Sequence, residues 1–252
     1  MKITVLGKSP SWQDAGGACS GYLIEHGRYV LLLDCGNSVF SKLRTVCDYA
    51  EVSAVLISHL HADHFLDLVP YSYALIHGPR QRPGRPRPRL YVPEGGGKLL
   101  SRVVGCWGNA GLIETAFEQH EYGSRHEVQL GPLRIALREV PHFTRTFAVD
   151  VSDGRGRLTF SADCAPNDGL VELATGTDLL LIEATLPEPE SAGERGHMTA
   201  REAGEHGRRA AARRLVITHI SDELDADRAV AEAQSGYGAP AEVAREGAVY
   251  TV

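Results

Sequence analysis

The stretch Ser58-His59-Leu60-His61-Ala62-Asp63-His64 follows directly on an apolar run, Ala54-Val55-Leu56-Ile57. A short apolar run bounded by polar residues reads as a buried strand, here Ala54–Ser58. Three imidazoles and one carboxylate then fall within six residues, on a turn anchored by that strand. Both groups suit Zn²⁺ and other first-row divalent ions. Without a cation, four such groups packed together would compete for the same water and repel one another when charged. The pattern H-x-H-x-D-H at the end of a core strand therefore predicts a metal-binding turn.

Outward from this turn, short strands and helices alternate in mixed order. Ile3–Leu6, Tyr22–Glu25 and Tyr29–Asp34 read as strands, with Gly27 in the second connection. Val39–Cys47 fits a helix. A further helix after His64 is weakened in its first turns by Pro70. Val128–Leu130, Leu133–Val140, Thr146–Val151 and Arg157–Ser161 form an antiparallel series, with Gly131 and Gly154 at turns. Leu179–Glu183 and Leu215–Thr218 are again buried strands. Between them, Thr199-Ala-Arg-Glu202 is a capping-box pattern that opens a helix, and Asp225–Gln234 is a final helix. This order predicts an α/β protein of two sheets covered by helices rather than one alternating parallel sheet. The length fits one domain spanning residues 1–252.

Composition removes several classes. Asp and Glu outnumber Lys and Arg, 32 to 26, giving a net charge of −6, which argues against attachment to nucleic acid by bulk charge. No apolar run approaches the roughly 20 residues of a membrane span, and the amino terminus lacks a signal peptide's apolar core. The five cysteines, Cys19, Cys35, Cys47, Cys106 and Cys164, are odd in number and contain no C-x-x-C pair. They read as reduced thiols of a cytoplasmic protein. Arg80–Arg89 (RQRPGRPRPR) carries five Arg and three Pro, which forbid helix and central strand and make it an exposed loop. Its arginines read first as a solvated connection, with phosphate binding as the alternative.

Five further polar residues stand at strand ends or turns. His142 follows Pro141, Asp163 precedes a turn-rich segment, and His219 closes the strand Leu215–Thr218. Taken singly, each reads as an ordinary loop or turn residue. Glu183 ends an apolar strand, where a carboxylate is costly unless paired, and His197 stands just before the capped helix.

H-x-H-x-D-H after a buried strand resembles the signature of the metallo-β-lactamase superfamily. The likeness continues through Ile3-Thr4-Val5-Leu6-Gly7, Asp34-Cys35-Gly36, Pro141-His142, Ser161-Ala162-Asp163, Glu183-Ala184-Thr185, Gly196-His197-Met198-Thr199-Ala200 and Thr218-His219-Ile220. Glu-Ala-Thr and His-x-Thr-Ala look like the ribonuclease Z branch. The length and layout are similar to compact bacterial relatives, some of which hydrolyse cyclic nucleotides. The resemblance implies a four-layer αββα sandwich and a two-metal site, with Zn²⁺ as the default and Mn²⁺ or Fe²⁺ accepting the same ligands. His59, His61 and His142 would bind one ion, Asp63, His64 and His219 the other, and Asp163 would bridge them. Asp63, Glu183 and His197 are the candidate catalytic residues, His197 protonating the leaving alkoxide while Glu183 holds it.

The ribonuclease Z branch carries a long tRNA-gripping arm between its third histidine and the bridging aspartate. Here 163 − 142 is only 21, a span filled by two strands. That departure from the branch favours a small phosphodiester substrate. An acyl hydrolase on the same site is one alternative. A tRNA 3′-end endonuclease or an RNA-binding protein using the Arg loop is another, and a homodimer stands open.

Overall fold

A computed structural model describes residues 1–80, 84, 86–123, 126–191 and 193–252. The first half of the chain runs β1 (Lys2–Gly7), β2 (Gly21–His26), β3 (Tyr29–Leu33), α1 (Val39–Val46), β4 (Ala54–Leu56), α2 (Ala62–Phe65), α3 (Leu68–His77), β5 (Arg89–Pro93), α4 (Gly96–Gly105), α5 (Leu112–Ala116) and β6 (Glu118–Tyr122). The second half runs β7 (His126–Leu130), β8 (Leu133–Val140), β9 (Thr146–Ser152), β10 (Arg157–Phe160), α6 (Asp168–Ala174), β11 (Leu179–Glu183), α7 (Ala200–Arg209), β12 (Leu215–Thr218), α8 (Ala226–Tyr237), β13 (Ala241–Val243) and β14 (Val249–Thr251).

The strands form two mixed sheets, ordered β14-β1-β2-β3-β4-β5-β6 and β13-β12-β11-β10-β9-β8-β7. Their inner faces meet in one core, and helices cover each outer face. Along β3, Leu31 and Leu33 enter the core between the sheets while Val30 and Leu32 face α1 and α3. Along β11, Leu179 and Leu181 point inward while Leu180 and Ile182 lie against α6, α7 and α8. Burial on both faces explains why these strands read as unbroken apolar runs rather than alternating ones. The result is the α/β architecture expected, an αββα sandwich.

Each sheet is antiparallel at one end and parallel at the other. β3 through β6 are parallel, as are β10 through β13. The carboxyl ends of β4, β10, β11 and β12 therefore open on the same edge of the sandwich, the usual place for a site in a parallel sheet. The predicted antiparallel series is present as β7 through β10.

Pro70 does not weaken a helix. The chain makes a separate four-residue turn at α2, and Pro70 falls in the first turn of α3, where a missing N–H costs little. Arg89, placed in the exposed loop, is the first residue of β5, which lies between β4 and β6. Gln81, Arg82, Pro83 and Arg85 of that loop lie outside the described residues. All five cysteines are free. Among the described residues, no helix is long and apolar enough to cross a membrane.

Candidate functional site

His59 and His61 lie two residues apart on the turn that follows β4. The chain then enters α2 with His61 as its N-cap, and the helical turn swings Asp63 and His64 to a second position. Backbone bonds fasten this turn to its neighbour, Cys35 N–H to the His64 carbonyl at 2.7 Å and Asp67 N–H to the Cys35 carbonyl at 3.1 Å. Gly36 makes that approach feasible. A Cβ there would lie 1.8 Å from the Asp63 carbonyl oxygen. Gly36→Ala is expected to cost at least about 1–3 kcal/mol and to lower metal content by displacing Asp63. Denaturant unfolding and elemental analysis check this, and an unchanged midpoint with full metal would refute it.

Other segments bring the remaining groups to the same edge. His142 lies in the β8–β9 connection, Asp163 follows β10, Glu183 ends β11, and His219 follows β12. One ligating atom from each of His59, His61, His142 and Asp163 lies within 4.8 Å of the others. The same holds for Asp63, His64, His219 and, again, Asp163. One oxygen, Asp163 Oδ2, sits 3.6 Å from His59 Nε2, 3.3 Å from His64 Nε2, 3.9 Å from His142 Nε2 and 3.3 Å from His219 Nε2. The backbone leading to the site is locally strained. Ala162, just before Asp163, and His219 both adopt left-handed φ values, 51° and 52°, each costing on the order of 1–3 kcal/mol.

Two buried carboxylates orient the imidazoles. Asp34 accepts from the Ser58 N–H at 2.7 Å, from the Ser58 hydroxyl at 2.8 Å and from His64 Nδ1–H at 2.7 Å. Because the Ser58 hydroxyl proton is given to Asp34, its oxygen accepts from His59 Nδ1–H, at 3.1 Å. Glu183 repeats the arrangement. It accepts from His197 Nδ1–H at 2.9 Å and from the Thr185 hydroxyl at 2.7 Å, and Thr185 Oγ1 in turn accepts from His219 Nδ1–H at 2.8 Å. Each carboxylate thus holds one imidazole directly and a second through a hydroxyl. His142 donates Nδ1–H to the Gly196 carbonyl at 2.7 Å. In His59, His64, His142 and His219, Nε2 is left to face the shared centre.

The centre is short of positive charge. His59 Nε2, His64 Nε2 and Asp163 Oδ1 are buried without a hydrogen-bond partner, whereas buried polar atoms are normally paired. Burial, reinforced by neighbouring imidazoles, holds His59, His61 and His142 below the ordinary histidine range, so they are neutral lone-pair donors. Burial also opposes charge on His64, but Asp163 and Asp34 outweigh it and raise its pKa well above the usual value. Asp63 and Asp163 are held low, despite burial, by His219 and His64. The rise at His64 marks the positive charge these carboxylates demand, and a divalent cation taking the His64 Nε2 lone pair would supply it in place of a proton. Nitrogen and carboxylate donors with three orphaned atoms turned inward fit such ions. The Cys164 thiol beside Asp163 is pushed up by burial, then by Glu183 and Asp163, and stays out of the donor set as a neutral thiol.

The model of a β-lactamase superfamily domain matches residues 29–220. The chain belongs to that superfamily. It is 27% identical over 250 residues to the probable metallo-hydrolase YhfI of Bacillus subtilis, covering 99% of each protein. The crystal structure of YhfI superposes with a TM-score of 0.89 at 26% identity, covering 99% of this chain and 98% of the other. A ribonuclease Z from Myxococcus xanthus is 30% identical over 300 residues, 98% of this chain and 96% of that protein. The superfamily chain described here is a metallo-hydrolase, and its His and Asp clusters are suited to metal.

Asp34, Ser58 and Thr185 were not among the site residues read from the sequence. Asp34 carried a usable signal, a carboxylate ending an apolar strand, the same one that drew attention to Glu183.

Proposed function

We propose that residues 1–252 act as one hydrolase unit, a dinuclear metal-dependent phosphodiesterase acting on a cyclic nucleotide or another small phosphodiester. His59, His61 and His142 would hold one ion, and Asp63, His64 and His219 the other, with Asp163 shared. Zn²⁺ suits this donor set, and Mn²⁺ or Fe²⁺ accept it. When bound, such a pair supplies hydroxide at neutral pH and neutralises phosphate charge.

The observation that carries the phosphodiester reading is the pair formed by His197 and Glu183. Burial disfavours charge on His197, but its hydrogen bond to Glu183 and the charge of that group prevail and raise its pKa above the usual histidine value. The Glu183 pairing thus favours the protonated imidazole. Its Nδ1 is engaged by Glu183, and its ring lies 4.9 Å from that of His142 and 5.7 Å from that of His219. A proton held there is available to a departing alkoxide, which a phosphodiester requires. Glu183 is a positioning residue. Besides His197 it accepts from the backbone N–H groups of Cys164, Thr185 and Met198, tying the Asp163, His197 and His219 segments together.

A small substrate is supported by the segment between His142 and Asp163. It holds only β9, β10 and the tight turn at Asp153–Gly156, with no room for a tRNA-gripping arm. A hydrolysis screen of the metal-loaded protein tests the reading, using bis-p-nitrophenyl phosphate, cyclic AMP, precursor tRNA, a thioester and a β-lactam. Turnover confined to the thioester or lactam would refute it, as would efficient site-specific tRNA cleavage.

Asp34 yields a prediction that does not depend on turnover. Its φ of 58° is one that asparagine also tolerates, so Asp34→Asn is close to isosteric. The amide removes the acceptor shared by His64 and Ser58 and unsettles the tautomers of His64 and His59, one in each ligand group. Metal affinity is expected to fall about 10–100-fold, measured by competition with a chromogenic chelator. Unchanged affinity would rule out the orienting role.

A further inference from the structure

We propose that Phe143 is a specificity-determining residue, a stacking platform for an aromatic ring carried by the substrate; this rests on the phosphodiesterase reading, in which that ring is a nucleobase. Phe143 directly follows His142, and the β8–β9 pairing of Val140 with Thr146 closes the connection on which both sit. Its ring centroid lies 5.1 Å from that of His142 and 5.9 Å from that of His197. It is nevertheless 50% exposed. Of the exposed large apolar side chains among the described residues, it is the one with ring contacts to imidazoles of the site.

The ring is also backed. A Cβ on Gly196 would come within 2.3, 2.6 and 2.7 Å of three ring carbons, so the phenyl group occupies room that exists only because residue 196 has no side chain. The Gly196 carbonyl accepts from His142 Nδ1–H, which fixes that backing to the ligand turn. One part of the ring is thus seated against fixed backbone, while half of its surface remains open beside the imidazole that protonates the leaving group. A rigid aromatic surface loses little entropy on stacking and tolerates any base, since every base has a π-face. Neither an alkyl diester nor a bare sugar phosphate would use it.

The test is equilibrium binding to the metal-loaded full chain, comparing adenosine 5′-monophosphate with ribose 5-phosphate by titration calorimetry. The two ligands share the phosphate and the ribose and differ in the base. Base stacking corresponds to a preference of roughly 5–150-fold, and the wild type is expected to favour the nucleotide within that range. Phe143→Leu should bring the ratio close to one while changing ribose 5-phosphate affinity less than about twofold, and Phe143→Trp should keep the preference. A wild-type ratio near one would overturn the proposal. So would a ratio undiminished in Phe143→Leu, or equal weakening of both ligands, which would make the ring only a brace for Gly196 and His197. Phosphodiester turnover by the wild type is scored separately. Turnover with a ratio near one removes the platform and leaves the phosphodiesterase reading standing, whereas a base preference without turnover does the reverse.

Discussion

Asp163→Ala is expected to yield a folded protein that retains neither metal ion and has no measurable hydrolysis. Asp163 is the one residue present in both ligand groups. Its Oδ2 lies within 4 Å of four imidazole nitrogens, two from each group. Removing it takes a donor from both positions at once. It also removes the negative charge that allows two divalent cations to sit close together. Metal affinity depends on deprotonated ligands held in place before the ion arrives, and three neutral imidazoles alone would retain the first ion poorly. The fold should persist, because Asp163 Oδ1 has no hydrogen-bond partner and the neighbours of Oδ2 are imidazoles. Elemental analysis of protein prepared without chelator, beside a circular-dichroism spectrum, checks both halves. Full metal content in the variant would refute the shared role. Loss of a single ion would assign Asp163 to one group only.

Much of the proposed centre was legible because its candidate ligands are local or fall near strand ends. His59, His61, Asp63 and His64 fall within six consecutive positions, and a buried strand before them is recognisable from four apolar residues. His142, Asp163 and His219 each follow a strand whose apolar run is readable, but taken singly they read as loop or turn residues, and their order after the first motif joined them to the set only through the resemblance. The orienting groups were harder to see. Asp34 acts on His64 from 30 residues away, and Thr185 on His219 from 34, so neither role exists until the sheets bring the segments together. Edge elements were missed for a different reason. β6 has the sequence EQHEY, with Tyr122 its one buried residue; its charge protects an outer strand from pairing with other chains and erases the apolar pattern that would reveal it. The helix α4 was missed altogether, its start hidden by Gly95-Gly96-Gly97, where left-handed Gly95 caps the helix. Phe143 gave no signal at all, since an exposed aromatic residue acquires meaning only from what lies beneath it.

His197→Ala is expected to separate proton donation from metal binding. His197 is in neither of the two ligand groups that share Asp163, and its anchor is Glu183 rather than a ligand. The variant should therefore keep its metal. On a substrate with a poor alkoxide leaving group, the rate should fall on the order of 10²–10⁴-fold, the usual worth of a positioned general acid. p-Nitrophenolate departs without a proton, so on bis-p-nitrophenyl phosphate the loss should shrink to a few-fold, on the order of what altered packing alone produces. Glu183→Gln should follow the same leaving-group dependence, because it lowers the proton affinity of His197 without deleting the imidazole. It should also weaken metal binding, since Glu183 holds His219 through Thr185. The discriminating quantity is the ratio of the two rate losses in metal-replete protein. If His197→Ala slows both substrates equally, the imidazole is not the proton donor. If it also strips the metal, His197 belongs to the ligand set, and the third cluster it forms with Glu183 and His219 would have to be read as part of the metal centre.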